Sequence, residues 1–293
     1  MEKPNYRSLI MSKTKIGFID LFIDEWHANN YPGWIRESPL ADQFELGYAY
    51  EEQANPEGKD LTAWCKEFGM IPAASIAEVV EKSDAVFVLA PSNPEVHERL
   101  AELALKSGKP VYIDKPFAPS KAAAERMFAL ADAYNTPMFS SSALRFGDEL
   151  IEARKTLNGV KPDTVITFGG GRLYDEYAIH QLEMIVSVMG CGASKLMRTH
   201  GVQGDVVNIQ YPDGRQAVLN YYPNFGFSIA MGGDFPMINQ PAQNRTFNNL
   251  LDSILEFFAG GANPVDRAET IEIAKLLETS ILAEKNTGVW IDL

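Results

Sequence analysis

Short apolar runs alternate with amphipathic segments through the first half of this sequence. The apolar runs cover residues 15–19, 44–50, 85–90, 111–114 and 138–142. Segments with apolar residues three and four apart, the spacing of a helix face, lie at residues 60–68, 75–82, 95–107 and 120–134. Strands that alternate with helices form a parallel sheet covered on both faces. The pattern therefore predicts an α/β domain, with an irregular, aromatic-rich connection between its first two strands.

The second half of the sequence changes to short strands separated by turn residues. A helix at 145–157 precedes candidate strands at residues 165–168, 195–199, 206–211, 216–222 and 227–231. Further helices are predicted at residues 176–189, 247–258 and 266–285. This order indicates an α+β domain with a mostly antiparallel open sheet. We predict an N-terminal tail over residues 1–14, a first domain over residues 15–143 and a second over residues 144–293.

Charge and cysteine content restrict the partners and the compartment. The 293 residues include 26 Lys and Arg against 39 Asp and Glu, a net charge of −13, so nucleic acid and anionic membranes are not expected partners. Cys65 and Cys191 are far apart and lack metal-ligand spacing, which argues against a disulfide framework and a zinc site. No apolar run reaches the roughly 18 residues of a membrane span. We expect a cytoplasmic protein.

The loop after the first strand lacks the glycines of a dinucleotide-binding turn. A G-x-G-x-x-G motif lets the backbone approach a pyrophosphate, whose charge faces the amides of a helix N-terminus. Gly17 is followed here by Asp20, Phe22, Asp24 and Glu25. The carboxylates would repel a pyrophosphate and Phe22 would fill its space. Taken alone, this loop argues against ordinary dinucleotide binding.

A lysine stands at the end of the run over residues 111–114, in the sequence Asp114-Lys115-Pro116. Ligands of open α/β sheets bind just beyond such strand ends. A lysine there can bond a substrate hydroxyl or carbonyl and, when desolvated, can titrate near neutral pH. The alternative is a surface lysine before a turn.

A second group of candidates lies on the helix predicted over residues 176–189. Glu176, His180 and Glu183 are four and three residues apart, which places them on one helical face. A carboxylate one turn before an imidazole can fix its tautomer, as suits a general acid or base. We therefore predict His180 as a proton-transfer residue and Glu176 as the group that orients it. A solvated helix face is the alternative.

These motifs, in this order, resemble the Gfo/Idh/MocA family of oxidoreductases. The resemblance rests on residues 17–19, on Ala90-Pro91 with His97, on residues 104–116, on residues 176–183 and on the closing residues 286–291. Asp114-Lys115-Pro116 matches the family's E-K-P with a shorter acid. Glu176 and His180 match its D-x-x-x-H, with Glu in place of Asp.

The resemblance implies a Rossmann-like, dinucleotide-binding-type first domain and a second domain for substrate and oligomer contacts. It implies hydride transfer between NAD or NADP and a sugar, cyclitol or related polyol, assisted by Lys115 and His180. The candidate cofactor-binding residues are Gly17, Asp20, Glu51, Ser92, Asn93, His97, Asp114 and Lys115. The candidate substrate-binding residues are Lys115, Arg145, Tyr177 and His180. Glu51, as a ribose acceptor, would favour NAD. A homo-oligomer formed through the C-terminal sheet is also implied.

Other functions stay open at this point. The acidic loop favours a ligand-binding or regulatory relative that has lost the dinucleotide, and a cofactor-independent lyase or isomerase could use the same lysine and histidine. His27, His97 and His200 form no ligand pattern, so no metal is predicted. The segment around Trp26 and Trp34 could hold a sugar-like ligand or pack between the domains.

Overall fold

The computed structural model describes residues 12–293, and most of the predicted tail lies outside this range. The first sheet contains β1 (Thr14–Asp20), β2 (Phe44–Glu51), β3 (Ile71–Pro72), β4 (Ala85–Val88), β5 (Val111–Ile113) and β6 (Met138–Phe139). All pairs are parallel, in the order β3-β2-β1-β4-β5-β6. The strand order reverses between β1 and β4, and the crevice beyond the carboxyl ends of these strands is where such sheets bind ligands.

Five helices cover this sheet: α1 (Trp26–Glu37), α2 (Leu61–Phe68), α3 (Ile76–Lys82), α4 (Pro94–Leu105) and α5 (Lys121–Ala133). Side chains that accept backbone amide protons begin four of them: Glu25 for α1, Asp60 for α2, Ser75 for α3 and Ser120 for α5. Gly69 ends α2 with a φ of 72°, in the left-handed region that glycine adopts without strain.

The prediction of an irregular connection between β1 and β2 is wrong, because helix α1 fills it. Pro32 and the aromatic residues obscured the helical pattern. The helix forms because Glu25 caps its first amides and because its aromatic side chains pack inward. Tyr31 contacts Phe87 of β4, with ring centroids 5.6 Å apart.

The second sheet contains β7 (Thr164–Gly169), β8 (Lys195–His200), β9 (Asp205–Gln210), β10 (Gln216–Tyr221), β11 (Ser228–Gly233), β12 (Phe235–Pro241) and β13 (Ile291–Asp292). Its order is β12-β11-β7-β10-β9-β8-β13, and only β7 with β10 is parallel among these pairs. The edge strands β12 and β13 were not predicted. Met237 in β12 is 77% exposed, so this edge strand lacks the alternation of buried apolar and exposed polar residues by which a strand is recognised in a sequence.

Four helices complete the chain: α6 (Asp148–Leu157), α7 (Tyr174–Met189), α8 (Thr246–Phe258) and α9 (Arg267–Leu282). Helix α8 packs against the first sheet, although it follows the second one in sequence. Phe258 meets Phe87 with ring centroids 5.2 Å apart, and Phe257 meets Phe139 at 5.1 Å. The two halves therefore share a core, and the boundary after residue 143 stays a prediction.

The predicted fold class is confirmed: an α/β protein with a Rossmann-like parallel sheet followed by a mostly antiparallel sheet. Within residues 12–293, no helix is both long enough and apolar enough to cross a membrane.

Candidate functional site

A cavity of about 420 Å³ is lined by residues from both halves of the chain. Its polar side chains are His27, Lys115, Tyr177, His180, Gln243 and Thr246. Aromatic rings form much of the rest. Trp26 and Phe247 line the cavity with centroids 5.0 Å apart, and Trp34 stacks on Phe247 at 4.8 Å. The predicted aromatic segment thus borders a ligand-sized space.

Lys115 lies two residues beyond the carboxyl end of β5, at the position predicted for a ligand-binding lysine. Its ammonium group donates a hydrogen bond to the backbone oxygen of Pro91, at 3.2 Å. Burial lowers the pKa of Lys115, although nearby carboxylates, Asp114 first among them, oppose this shift. A lysine in this position can donate a proton and, when neutral, accept one.

His180 also faces the cavity, from helix α7. Its Nδ1 lies 2.6 Å from the hydroxyl oxygen of Ser142. Burial, followed by the charge of Lys115, holds the pKa of His180 well below its ordinary value. The ring is therefore neutral near pH 7, and Nε2 is the nitrogen left for a ligand by the contacts of the described residues.

Glu176 does not contact His180 in the way that the sequence suggested. Its carboxylate accepts a hydrogen bond at 3.0 Å from Arg172, four residues earlier. Ser142, which precedes α6 and is far from His180 in sequence, contacts the imidazole instead. The prediction of Glu176 as the orienting group is corrected for this reason.

His27 belongs to the aromatic segment that could hold a sugar-like ligand, but the sequence did not indicate a catalytic role for it. It lies in the first turn of α1, is 6% exposed, and borders the cavity. Its Nδ1 is hydrogen-bonded to the carboxylate of Asp114. Burial raises the pKa of Asp114, but the charge of His27 and this hydrogen bond outweigh burial and lower it below its ordinary value. An isolated histidine in an expected loop gave no signal of this pairing.

The second oxygen of the Asp114 carboxylate holds the chain around the site. It accepts a bond from the Lys115 amide at 2.8 Å and a longer one from the Tyr112 hydroxyl at 3.4 Å. Asp114 thus positions His27 and the backbone of Lys115 together. Its predicted role as a cofactor contact is not supported by these bonds, because they occupy both oxygens.

Arg145, predicted as a substrate contact, lies beneath the cavity in a buried ion-pair network. Its guanidinium donates to the carboxylate of Glu183 at 2.6 Å and also pairs with Glu269 at 2.5 Å. Glu183 accepts two further bonds from Ser141 and from the amide of Ser142. Arg145 and Glu183 therefore fix the segment that carries Ser142. Tyr177 does line the cavity, beside Gly171.

His97 is fully buried and does not reach the cleft. Its Nδ1 lies 3.0 Å from the backbone oxygen of Phe117, and its Nε2 lies 2.5 Å from that of Leu89. These contacts join the segments that follow β4 and β5. The predicted cofactor role of His97 is thus replaced by a structural one.

Gly17 is required by the packing of α3 against β1. A Cβ at this position would lie 2.4 Å from the hydroxyl oxygen of Ser83 and 2.6 Å from a methyl carbon of Val79. Only glycine lets α3 approach β1 this closely. This packing accounts for the glycine, and its cofactor role stays a prediction.

The remaining predicted cofactor residues bind other parts of the chain. Glu51 accepts hydrogen bonds from the amides of Ile23 at 3.2 Å and Leu61 at 3.1 Å, so it is not free for a ribose. Asn93 donates to the carboxylate of Glu95 at 2.9 Å. Ser92 lines a separate cavity of about 320 Å³ that also contains Glu95, Asp175 and Glu176.

The loop between β1 and α1 does not fit the pyrophosphate of a dinucleotide. The Glu25 carboxylate accepts bonds from the amides of His27 and Ala28, at 2.8 and 2.5 Å. Asp20 accepts bonds from the amides of Leu21 and Ala90, at 2.6 and 3.0 Å. The amides that would face a phosphate in this fold therefore already face carboxylates.

A metal site is not formed by the side chains of residues 12–293. Histidine, cysteine and carboxylate side chains in this range do not gather in groups of three or more that could hold an ion.

Comparisons with known proteins agree with the fold. Residues 42–141 match the model of an oxidoreductase family with an NAD-binding Rossmann fold, a match that leaves out β1 and α1. An uncharacterized oxidoreductase of Schizosaccharomyces pombe is 23% identical over 209 residues, which cover 64% of this chain and 55% of that protein. The chain thus aligns with little more than half of this relative.

Two solved structures illustrate the likeness of the whole fold. The myo-inositol dehydrogenase of Lactobacillus casei, in complex with NAD(H) and myo-inositol, has a TM-score of 0.80 at 12% identity, with 96% of this chain and 97% of that one covered. The WlbA dehydrogenase of Bordetella pertussis, in complex with NADH and UDP-GlcNAcA, has a TM-score of 0.77 at 18% identity, with 96% and 99% covered. The resemblance of this chain to the Gfo/Idh/MocA oxidoreductases, predicted from its motifs, is confirmed.

Proposed function

We propose that this chain is an enzyme that binds a sugar, a cyclitol ketone or a related polyhydroxylated carbonyl compound and moves protons at its carbon and oxygen atoms. One observation carries this proposal: Lys115, His180 and the hydrogen-bonded His27–Asp114 pair converge on one cavity between the two halves of the chain. Groups with shifted pKa values in a cleft are typical of sites of proton transfer.

The cavity suits a neutral, ring-shaped ligand. Its walls combine the flat rings of Trp26 and Phe247 with donors and acceptors on Lys115, Gln243 and Thr246. Aromatic faces pack against the C–H face of a sugar ring, and a few polar groups then fix its orientation. The myo-inositol bound by the Lactobacillus casei enzyme is a neutral, ring-shaped polyol, which supports a ligand of this shape.

The His27–Asp114 pair is arranged to act as a base. Because Nδ1 is hydrogen-bonded to Asp114, Nε2 is the ring nitrogen that can take a proton from a ligand, and the carboxylate stabilises the imidazolium that then forms. His27 removes a proton from the carbon next to a carbonyl, and the electron pair of the C–H bond forms a C=C bond. The carbonyl π electrons move to oxygen, which takes a proton from Lys115.

The resulting enediol returns to a carbonyl compound when a proton is delivered to carbon, while one enediol hydroxyl gives its proton to the neutral amine of Lys115 and the electron pair of that O–H bond re-forms the C=O bond. Delivery of the proton of His27 to the other carbon gives the isomeric sugar. The epimer forms when a water molecule on the opposite face protonates the first carbon and the imidazolium of His27 returns its proton to solvent. His180, neutral and held by Ser142, is placed to hydrogen-bond a neighbouring hydroxyl. Both outcomes need no external oxidant.

Dinucleotide-dependent oxidation of a polyol is the second candidate function. It is favoured by the match of residues 42–141 to an NAD-binding family and by the bound NAD(H) of the Lactobacillus casei enzyme. Lys115 and His180 would then accept or donate the proton of the substrate hydroxyl, as the resemblance implies. The acidic loop between β1 and α1 opposes this candidate.

Proton exchange with solvent tests the leading candidate directly. A panel of aldoses, ketoses and oxidised cyclitols is incubated with the protein in D₂O without any dinucleotide, and loss of C–H signals is followed by ¹H NMR. We expect exchange at the carbon next to the carbonyl for one class of compound. Lys115→Met should slow it by about 10²–10⁴-fold, whereas Lys66→Met, at an exposed lysine of α2, should leave it unchanged. Equal rates in the two variants, or no exchange with any compound, would contradict the proposal.

Self-association through the second sheet is also proposed. Large apolar side chains are exposed on this half, among them Phe225 at 53% and Met237 at 77%. Light scattering on Phe225→Ser and Met237→Ser variants tests it, because an oligomer formed on this surface should dissociate.

A further inference from the structure

The segment from Asp20 to Glu25 lacks the glycines of a dinucleotide-binding turn, and backbone amides within it are bonded to side chains of this chain. Phe22 packs against the core formed by β1, β4 and β5. The backbone amides of Leu21, Phe22 and Ile23 all donate to carboxylates of this chain, those of Asp20 and Glu51. The loop is thus held by its own acidic residues.

Glu25 occupies the electrostatic position that a phosphate takes in related folds. The amino end of a helix carries partial positive charge, and in dinucleotide-binding domains the pyrophosphate lies against the helix that follows β1. Both carboxylate oxygens of Glu25 accept bonds there, from the first two amides after Trp26. A bound pyrophosphate would have to displace this carboxylate.

A second set of contacts ties the loop to the segment after β2. Asp24 accepts bonds from the amide of Lys59 and the side chain of Asn29, both at 2.7 Å, and its backbone oxygen accepts one from Asn55 at 3.1 Å. Glu51 bridges Ile23 to the start of α2. The region that holds the adenosine ribose in this fold is therefore crossed by internal bonds.

The charge on the other side of the cleft gives a phosphate no compensation. The cavity beside Ser92 is lined by Glu95, Asp175 and Glu176, and the lining contains no lysine or arginine. Polyphosphate would meet like charge along this path.

We infer that the Glu25 carboxylate takes the place of the pyrophosphate in this chain, and that the protein binds its cleft ligand without a nicotinamide dinucleotide. The inference concerns the β1–α1 loop and does not depend on which compound the cleft binds. It explains why the cleft residues Lys115 and His180 are present although the segment after Gly17 lacks the remaining glycines of a dinucleotide-binding turn.

Cofactor titration of the full-length protein tests the inference. NADH and NADPH are added up to about 1 mM, with nicotinamide fluorescence and calorimetry as readouts. The wild-type protein should give no saturable signal. A Phe22→Gly/Glu25→Gly variant, which frees the helix amides and the space beside them, should gain at least tenfold in affinity. Glu37→Gly, at the other end of the same helix, is the matched control and should gain nothing.

Each outcome decides a stated part of the inference. Saturable binding by the wild-type protein at micromolar concentrations overturns it, and leaves the proton-exchange test of the cleft unaffected. The absence of binding by the wild-type protein, together with saturable binding by the double variant, supports it. If neither protein gives a saturable signal, and circular dichroism shows that the variant is folded, then Phe22 and Glu25 are not the residues that exclude the dinucleotide, and this part of the inference is overturned.

Discussion

His27 and Asp114 are 87 residues apart in the sequence, yet the imidazole Nδ1 of one is hydrogen-bonded to the carboxylate of the other beside the cleft. Helix α1 supplies the histidine and the end of β5 supplies the acid. Both side chains are buried, so the pair is shielded from water on every side except that of the cavity. This arrangement defines one face of the proposed reaction site.

Asp114→Asn should abolish most of the proton-transfer activity while leaving the fold intact. The amide keeps the shape of the carboxylate but can donate to Nδ1, which forces the proton onto Nε2 and removes the base. We expect the rate of proton exchange to fall by about 10²–10⁴-fold, with a small change in ligand affinity. Asp234→Asn, at an exposed position, is the control. An unchanged exchange rate in Asp114→Asn would falsify the role given to this pair.

The pH dependence of the exchange rate should report Lys115. Burial lowers the pKa of this lysine, so its titration should be seen below the value of about 10.4 that is usual for a free lysine. As the acid that protonates the carbonyl oxygen, it loses activity when the pH rises through its pKa. The rate should therefore fall at a lower pH than an unperturbed lysine would give.

Lys115→Arg separates this titration from a simple loss of charge. Arginine stays protonated throughout the range, so any residual activity should lose its alkaline limb. Lys66→Arg should keep the wild-type profile. Persistence of the alkaline limb in Lys115→Arg would assign it to another group.

The sequence predicted the fold well because most of its elements have local signals. Caps at Asp60, Ser75 and Ser120 and the glycine stop at Gly69 are properties of neighbouring residues. Helix α1 was missed because its stability comes from tertiary packing of Tyr31 against Phe87 and from a cap by Glu25. Glutamate is not one of the residue types that usually cap a helix, so nothing in the sequence indicated this cap. The exposed edge strand β12 was missed because pairing alone defines it.

The site was predicted in part for a similar reason. Lys115 and His180 could be found because they lie in motifs of fixed spacing. The partners that decide their chemistry are distant in sequence: Ser142 for His180, and His27 for Asp114. Glu176 and Glu51 were misassigned because each had a plausible target nearby, whereas the folded chain offers Arg172 to one and two backbone amides to the other.

Asp20→Asn should make the protein more stable at neutral pH. Burial, followed by the charge of Glu25, raises the pKa of Asp20 well above its ordinary value. The folded protein therefore keeps this proton at pH values where the unfolded chain releases it, and stability falls as the pH rises above about 4. Asparagine keeps an oxygen for the amides of Leu21 and Ala90 without this penalty.

Thermal unfolding between pH 4 and pH 8 measures the effect. The wild-type protein should lose more stability over this range than Asp20→Asn does, whereas Glu37→Gln, at an exposed carboxylate, should follow the wild type. Parallel curves for wild type and Asp20→Asn would show that Asp20 releases its proton normally in the folded state.

Glu183→Gln should destabilise the fold because it leaves Arg145 short of a partner. Arg145 is 6% exposed and pairs with Glu183 and Glu269, and its second terminal nitrogen has no partner among the described residues. Breaking one side of a buried ion pair costs about 3–5 kcal/mol, whereas replacing both partners by apolar residues is often close to neutral. Urea denaturation should therefore show a large loss for Glu183→Gln and a smaller one for Arg145→Met/Glu183→Leu.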